Sequence, residues 1–224
     1  IIYSVRLDIT KNGFKFNENI LAAYTELRFK KNKFNSRVGL RAELTHSDGF
    51  SKRLNQTIIN RDYFNYFPSA FVGYDFNKDL TTSLTLSSRI NRPTFQDLDP
   101  FINYIDSVTS FRGNPYLLPE YTNSIEASLI YMKEANLTIG YSFTSGAMRL
   151  VVDKLTDSTD AFTAVTRNLN DNETYSFGIT IPYELEWWTT ANYFGYFLNN
   201  FTYEQNGVII KNYKPTYSIY LYDE

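Results

Sequence analysis

The chain has 224 residues, 22 basic and 24 acidic, with no cysteine; near balance of charge excludes a partner held through phosphate contacts, so no nucleic acid is expected, and missing thiols exclude disulfide staples and thiolate metal sites. No run of about 18 apolar residues exists that could cross a bilayer as a helix. That leaves a β-barrel open, since each barrel strand is apolar on alternate residues only and the average hydropathy looks soluble.

Alternation is the dominant pattern, and helical periodicity is nearly missing. In chain order it predicts about ten strands, over residues 1–10, 18–30, 35–46, 62–76, 79–91, 121–132, 136–152, 161–183, 189–203 and 213–222. In the third, Val38, Leu40, Ala42 and Leu44 alternate with Arg37, Gly39, Arg41 and Glu43. In the fifth and seventh, Leu84, Leu86, Ile139 and Tyr141 are expected on a lipid-facing side, and Ser83, Thr85, Gly140 and Ser142 on a lumen-facing one. The second face is rich in glycine, serine, threonine and charge, which suits a water-filled lumen. Most strands reach the roughly 9–11 residues that a tilted transmembrane strand needs. Pro68 falls inside the fourth strand, where it is expected at an end or bulge near one rim. At Ser145-Gly146-Ala147 the phase of alternation switches, and a bulge is expected there.

The connections alternate in length. Residues 31–33, 77–78, 133–135 and 184–188 are short; residues 47–61, 92–120, 153–160 and 204–212 are longer. Tight turns on one rim and long loops on the other are the layout of outer-membrane barrels. The chain carries 19 Tyr and 18 Phe, with Trp187 beside Trp188, a density that suits interfacial aromatic girdles. The fold class expected is therefore all-β: an antiparallel up-and-down transmembrane barrel segment of about ten strands. Because the chain begins and ends within alternating segments, residues 1–224 are expected to be a single partial barrel domain, internal to something longer.

At the longest connection the residues become specific. Arg92-Pro93-Thr94-Phe95-Gln96-Asp97-Leu98-Asp99-Pro100-Phe101, then Gly113-Asn114-Pro115-Tyr116-Leu117-Leu118-Pro119-Glu120, resembles the barrel domain of TonB-dependent outer-membrane receptors in the form seen in Bacteroidetes, with a G-N-P-x-L-x-P-E pattern matched at every fixed position. Arg167-Asn168-Leu169 and Ser176-Phe177-Gly178 resemble a downstream segment of the same barrels, with Asn170 where glycine is commoner. The resemblance implies a bacterial outer-membrane location and a barrel of about 22 strands closed around a plug. It also implies uptake of a siderophore, glycan or peptide powered through TonB. The partners it implies are outer-membrane lipid, a plug domain of the same parent chain, the TonB complex through a segment outside this sequence, and a surface lipoprotein. The plug and the closing C-terminal strand are expected elsewhere in the parent.

Candidate ligand-binding residues lie in that same loop: Phe95, Asp97, Asp99, Tyr104, Asp106, Phe111, Arg112 and Tyr116 combine rings with charge, as ligand sites do. The same residues also read as the internal packing of a loop stiffened by Pro93, Pro100, Pro115 and Pro119. A lumen-facing set, Glu26, Arg28, Arg37, Arg41, Glu43, Arg89 and Glu126, reads either as contacts to a plug or a pathway, or as mutual ion pairs on a wet wall. His46 is the sole histidine and there is no G-x-S-x-G elbow, so catalysis is not expected. No histidine–carboxylate group has metal-ligand spacing, and neither metal nor cofactor is expected. Glu184 and Glu186 point to one face without a glycosidase-like setting. A non-transporting binding or adhesion barrel is the alternative function, and an outer-membrane enzyme a third.

Overall fold

A chain whose side chains alternate between apolar and small or polar has no helical stripe to bury, and is best satisfied as extended strands with two unlike faces. The computed structural model describes residues 1–11, 13–132, 134–156, 159–185, 187–205 and 208–223. Along it run β1 (Ile2–Lys11), β2 (Phe14–Lys31), β3 (Phe34–Ser51), β4 (Gln56–Asp75), β5 (Leu80–Asn91), the one-turn helix α1 (Phe95–Leu98), β6 (Ile102–Tyr104), β7 (Thr109–Arg112), β8 (Glu120–Tyr131), β9 (Ala135–Ser145), β10 (Met148–Thr156), β11 (Thr159–Asn168), β12 (Asn172–Leu185), β13 (Trp188–Gln205) and β14 (Val208–Asp223). Ten strands form one antiparallel meander in the order β1-β2-β3-β4-β5-β8-β9-β12-β13-β14. The other four form a small sheet, β10-β11-β7-β6, in which β7 and β11 run parallel.

Ten wall strands match the expectation, but two boundaries are corrected. Residues 136–152 are not one bulged strand. β9 ends at Ser145, Gly146 takes φ +62, and the chain leaves the wall as β10. The expected strand 161–183 likewise splits into β11 and β12. Residues 47–61 are not a loop either: β3 and β4 continue to Ser51 and from Gln56, so the hairpin stands beyond the band of apolar residues. The expected loops 153–160 and 204–212 are likewise mostly strand, the ends of β10 and β11 and of β13 and β14; Lys133, Glu186 and residues 157–158 and 206–207 lie outside the described residues.

The register keeps the two faces separate across the wall. One hydrogen-bonded row reads Phe29, Ser36, Val72, Leu84, Ala127, Ile139, Phe177, Tyr196 and Tyr217. The adjacent row on the other face reads Lys30, Asn35, Gly73, Ser83, Ser128, Thr138, Gly178, Gly195 and Ser218. Leu84, Leu86, Ile139 and Tyr141 share the first face as expected, and Ser83, Thr85, Gly140 and Ser142 the second. Leu27, Val38, Leu84 and Ile139 are 75%, 59%, 41% and 55% exposed; side chains this apolar are stable there only against lipid.

The stagger of the rows gives the strand tilt. Phe34 directly follows the tight turn at residues 32–33, yet its row, through Tyr74, Thr82, Leu129 and Leu137, arrives at Ile179, six positions before the end of β12 at Leu185. Six residues of about 3.4 Å over five strand spacings of about 4.8 Å correspond to a tilt of about 40°. On β3 the apolar face runs from Phe34 to Leu44 before His46 and Asp48 replace it. At that tilt the band is about 25 Å tall, the height of an outer-membrane hydrocarbon layer.

Tight turns fit their sequences. Asn32 takes φ 53, the left-handed conformation asparagine tolerates in two-residue hairpins, and the Asn77 side-chain carbonyl accepts from the amides of Asp79 and Leu80, both at 2.8 Å.

Among the described residues the wall parts between β4 and β5. β4 pairs with β3 along its length, but with β5 only from Asp75↔Thr81 to Ser69↔Ser87. Pro68 stands where that ladder stops; it sits mid-strand, not near a rim as expected, and its missing N–H explains why pairing ends there. Beyond it β4 follows β3, and β5 follows β8.

Candidate functional site at the long-connection rim

The 92–119 connection folds down onto the polar face of the wall, where Phe95, Leu98 and Leu117 complete the one buried apolar cluster among the described residues, with Phe14, Phe16 and Ile59. The Phe14 and Phe95 ring centroids are 5.6 Å apart. Burying these side chains withdraws the loop from water, so its backbone groups need partners.

The motif residues supply them. Thr94 caps α1 in a reciprocal capping box with Asp97, whose other carboxylate oxygen accepts from the Thr166 hydroxyl at 3.1 Å. Gly113 donates its amide to the Asp99 carbonyl at 3.0 Å; a Cβ there would stand 2.7 Å from the Asp99 nitrogen and the Gln96 carbonyl, so only glycine fits. The Asn114 side chain accepts from the Tyr116 amide and donates to the Thr166 carbonyl. Arg61 of β4 donates to the carbonyls of Leu117 and Pro115 at 2.6 and 2.7 Å. Asn168 bonds both the amide and carbonyl of Leu118, and the Gly146 carbonyl, all at 2.8 Å. Glu120 accepts from Asn91 and from the Met148 amide.

Arg92 anchors the other end. Its guanidinium lies 2.7 Å from Glu43 and donates to the Thr45 and Tyr63 hydroxyls. The loop thus ties the β3–β4 hairpin to the β8–β9 wall across the gap above Pro68. The exit hairpin β10–β11 is tied in as well, through β7.

The expected ligand residues are divided by this packing. Phe95 and Asp99 are buried, and Asp97 is occupied as a cap and by Thr166. Phe111 is half-buried on β7. Tyr104 and Tyr116 are both 77% exposed, and Asp106 and Arg112 are exposed as well. Asp106 accepts from the Val108 and Thr109 amides at 2.8 and 2.7 Å, and these hydrogen bonds hold its carboxyl below the usual aspartate range. Arg61, Arg92 and Asn168, which hold the loop, are partners that sequence reasoning did not place. Arg92 and Asn168 stand in the segments whose pattern is recognisable, but the groups these three residues bind lie 22 to 56 residues away, and no local pattern points to those contacts.

Along the polar face, Arg28 pairs with Glu26 and Arg41 with Glu43, while Arg37 and Arg41 also lie 4.6 and 4.8 Å from the Phe71 and Phe67 ring centroids. Glu126 and Arg89 have no ion pair among the described residues. The His46 ring bonds Asp62 at 2.8 Å on the apolar-side face of the wall, just past the apolar band.

A family model described as the outer membrane protein beta-barrel family matches residues 4–222. No curated protein matches the sequence. Solved structures share the fold at low identity. The hemophore receptor HasR of Serratia marcescens, in complex with its hemophore HasA and heme, aligns with TM-score 0.63 and 12% identity over 90% of this chain and 41% of its own. The siderophore receptor PirA of Pseudomonas aeruginosa aligns with TM-score 0.54 and 11% identity over 93% and 49%, and the copper transporter OprC with TM-score 0.55 and 14% identity over 90% and 41%. The chain spans less than half the length of each of these relatives.

Proposed function

We propose, starting from the fact that the chain belongs to the outer membrane protein beta-barrel family and so resides in the bacterial outer membrane, that it forms about half the wall of an uptake receptor. In this proposal residues 1–224 are one partial barrel domain, with the plug and closing strand supplied elsewhere in the parent chain. The parent takes up a siderophore, glycan or peptide, driven by the TonB complex, with a surface lipoprotein as a further partner. The rim of long connections faces the cell exterior, where a ligand is first met, and Tyr104, Asp106, Arg112 and Tyr116 are its exposed contacts. The observation that supports this best is the ten-strand meander itself, tilted about 40° and shaped like the walls of the receptors above.

Deleting the parent gene and deleting the gene for TonB should produce the same growth defect on the same limiting nutrient, across a panel of ferric siderophores, heme, oligosaccharides and oligopeptides. A defect shared on none of these would contradict uptake and favour a barrel that binds without transporting.

A further inference from the structure

On the polar face, where the β4–β5 ladder stops at Ser69↔Ser87, the wall forms an open recess of about 650 Å³ whose lining includes Tyr24, Arg41, Phe67, Ser69, Ser87 and Arg89. The register explains it. Arg41 is directly opposite Phe67, and Arg89 is two residues beyond Ser87 on the strand that has parted from β4. Two guanidinium groups therefore flank one phenylalanine across the opening, above a floor of two serine hydroxyls.

Neither cation is fully used. Arg89 is held by its backbone in the β5–β8 ladder, but its guanidinium makes no hydrogen bond, ion pair or ring contact with the described residues. Arg41 leans on the Phe67 ring, and its Nε is buried without a hydrogen bond, although a Glu43 oxygen lies 3.2 Å away. That carboxylate is shared with Arg92 at 2.7 Å, so two guanidinium groups draw on one acid, Arg89 draws on none, and no carboxylate among the described residues lines the recess itself. Local charge is thus positive in a recess large enough for a small molecule.

We propose that this recess at the β4–β5 parting binds a small organic carboxylate, its anionic group received by the Arg89 and Arg41 guanidinium forks and its body resting on Phe67 and Tyr24. Ser69 and Ser87 place hydroxyls at the floor, that of Ser87 shared with Ser124 at 2.7 Å. The site lies deeper than the exposed loop residues, on the lumen side, and its place on a ligand path rests on the uptake reading above. Binding itself does not depend on energy coupling, so it can be tested apart from uptake.

The probe is 4-fluorobenzoate, followed by ¹⁹F NMR on the full-length protein that contains this chain, purified in detergent, with neutral 4-fluorobenzamide as the comparison. Saturable binding of the benzoate is expected, at least about tenfold weaker in Arg89→Gln and intermediate in Arg89→Lys, which keeps charge but loses the fork. Arg28→Gln, a lumen arginine already paired with Glu26, should bind as the wild type does. Heat-modifiable gel migration shows that each variant is a folded barrel. No saturable binding, equal binding of the benzamide, or unchanged affinity in folded Arg89→Gln would overturn the proposal while leaving the growth test of uptake untouched.

Discussion

The Arg92 guanidinium and the Glu43 carboxylate, 49 residues apart in sequence, meet at 2.7 Å with side chains only 16% and 5% exposed. Arg92 begins the longest connection and Glu43 stands in the wall, so this pair fixes where the connection starts its descent onto the sheet. Burial this complete makes an unpaired partner costly. Arg92→Met and Glu43→Gln should each destabilise the folded barrel by about 3–5 kcal/mol, and the double variant by less than their sum. A double-mutant cycle in urea checks this; strictly additive losses would mean that the two residues do not act as a pair.

Gly113 and Tyr116 belong to the same motif but should respond oppositely. Gly113→Ala forces a methyl group against backbone atoms of Asp99 and Gln96, and should cost about 1–3 kcal/mol and admit proteases to residues 92–119. Tyr116, 77% exposed, should tolerate alanine within about 0.5 kcal/mol. Thermal unfolding and limited proteolysis of the two variants measure the contrast.

Facing can be tested in β9. Ile139→Arg places a cation on the lipid side and should destabilise by about 2–4 kcal/mol if near the bilayer midplane, whereas Ser142→Arg, on the row of Ser124 and Thr174, should be far milder. Equal effects would contradict the assignment of faces.

The turn between β6 and β7 should be pH-dependent in one direction. Hydrogen bonds from Val108 and Thr109 lower the Asp106 pKa in the folded state, so their contribution is present above the unfolded value of about 3.9 and is lost as pH falls through the lower folded value. Amide exchange at Val108 and Thr109 should be steady at neutral pH, after correction for intrinsic rates, and lose protection only in acid. Asp106→Ala should remove protection at every pH.

What was legible in the sequence follows from how local each cause is. Period-two alternation is a property of neighbours along the chain, so the ten wall strands and both faces of β5 and β9 could be read directly. The phase switch at Gly146 was visible too, but a bulge and an exit from the sheet look alike until the partner strand is known; β10 pairs with β11, not with a wall neighbour. The motif from Gly113 to Glu120 was recognisable as a pattern, while its work in joining Arg61, Thr166 and Asn168 depends on contacts 50 or more residues away. Pro68 signalled an interrupted ladder, though only the register shows that β4 loses one neighbour and keeps the other.

The same packing decides where a reporter belongs. Ser110, midway along the connection, is 1% exposed and bonded to the Thr163 hydroxyl, so a thiol there would be shielded; Tyr116 is open. Single cysteines at Tyr116 and Asn77, in the otherwise cysteine-free segment of the full-length protein, can be challenged on intact cells with a membrane-impermeant maleimide. Tyr116→Cys should label at once and Asn77→Cys only after the outer membrane is permeabilised, because the two lie on opposite rims of a membrane-spanning wall. Labelling of Asn77→Cys alone would reverse the topology, and immediate labelling of both would contradict a sheet that crosses the membrane.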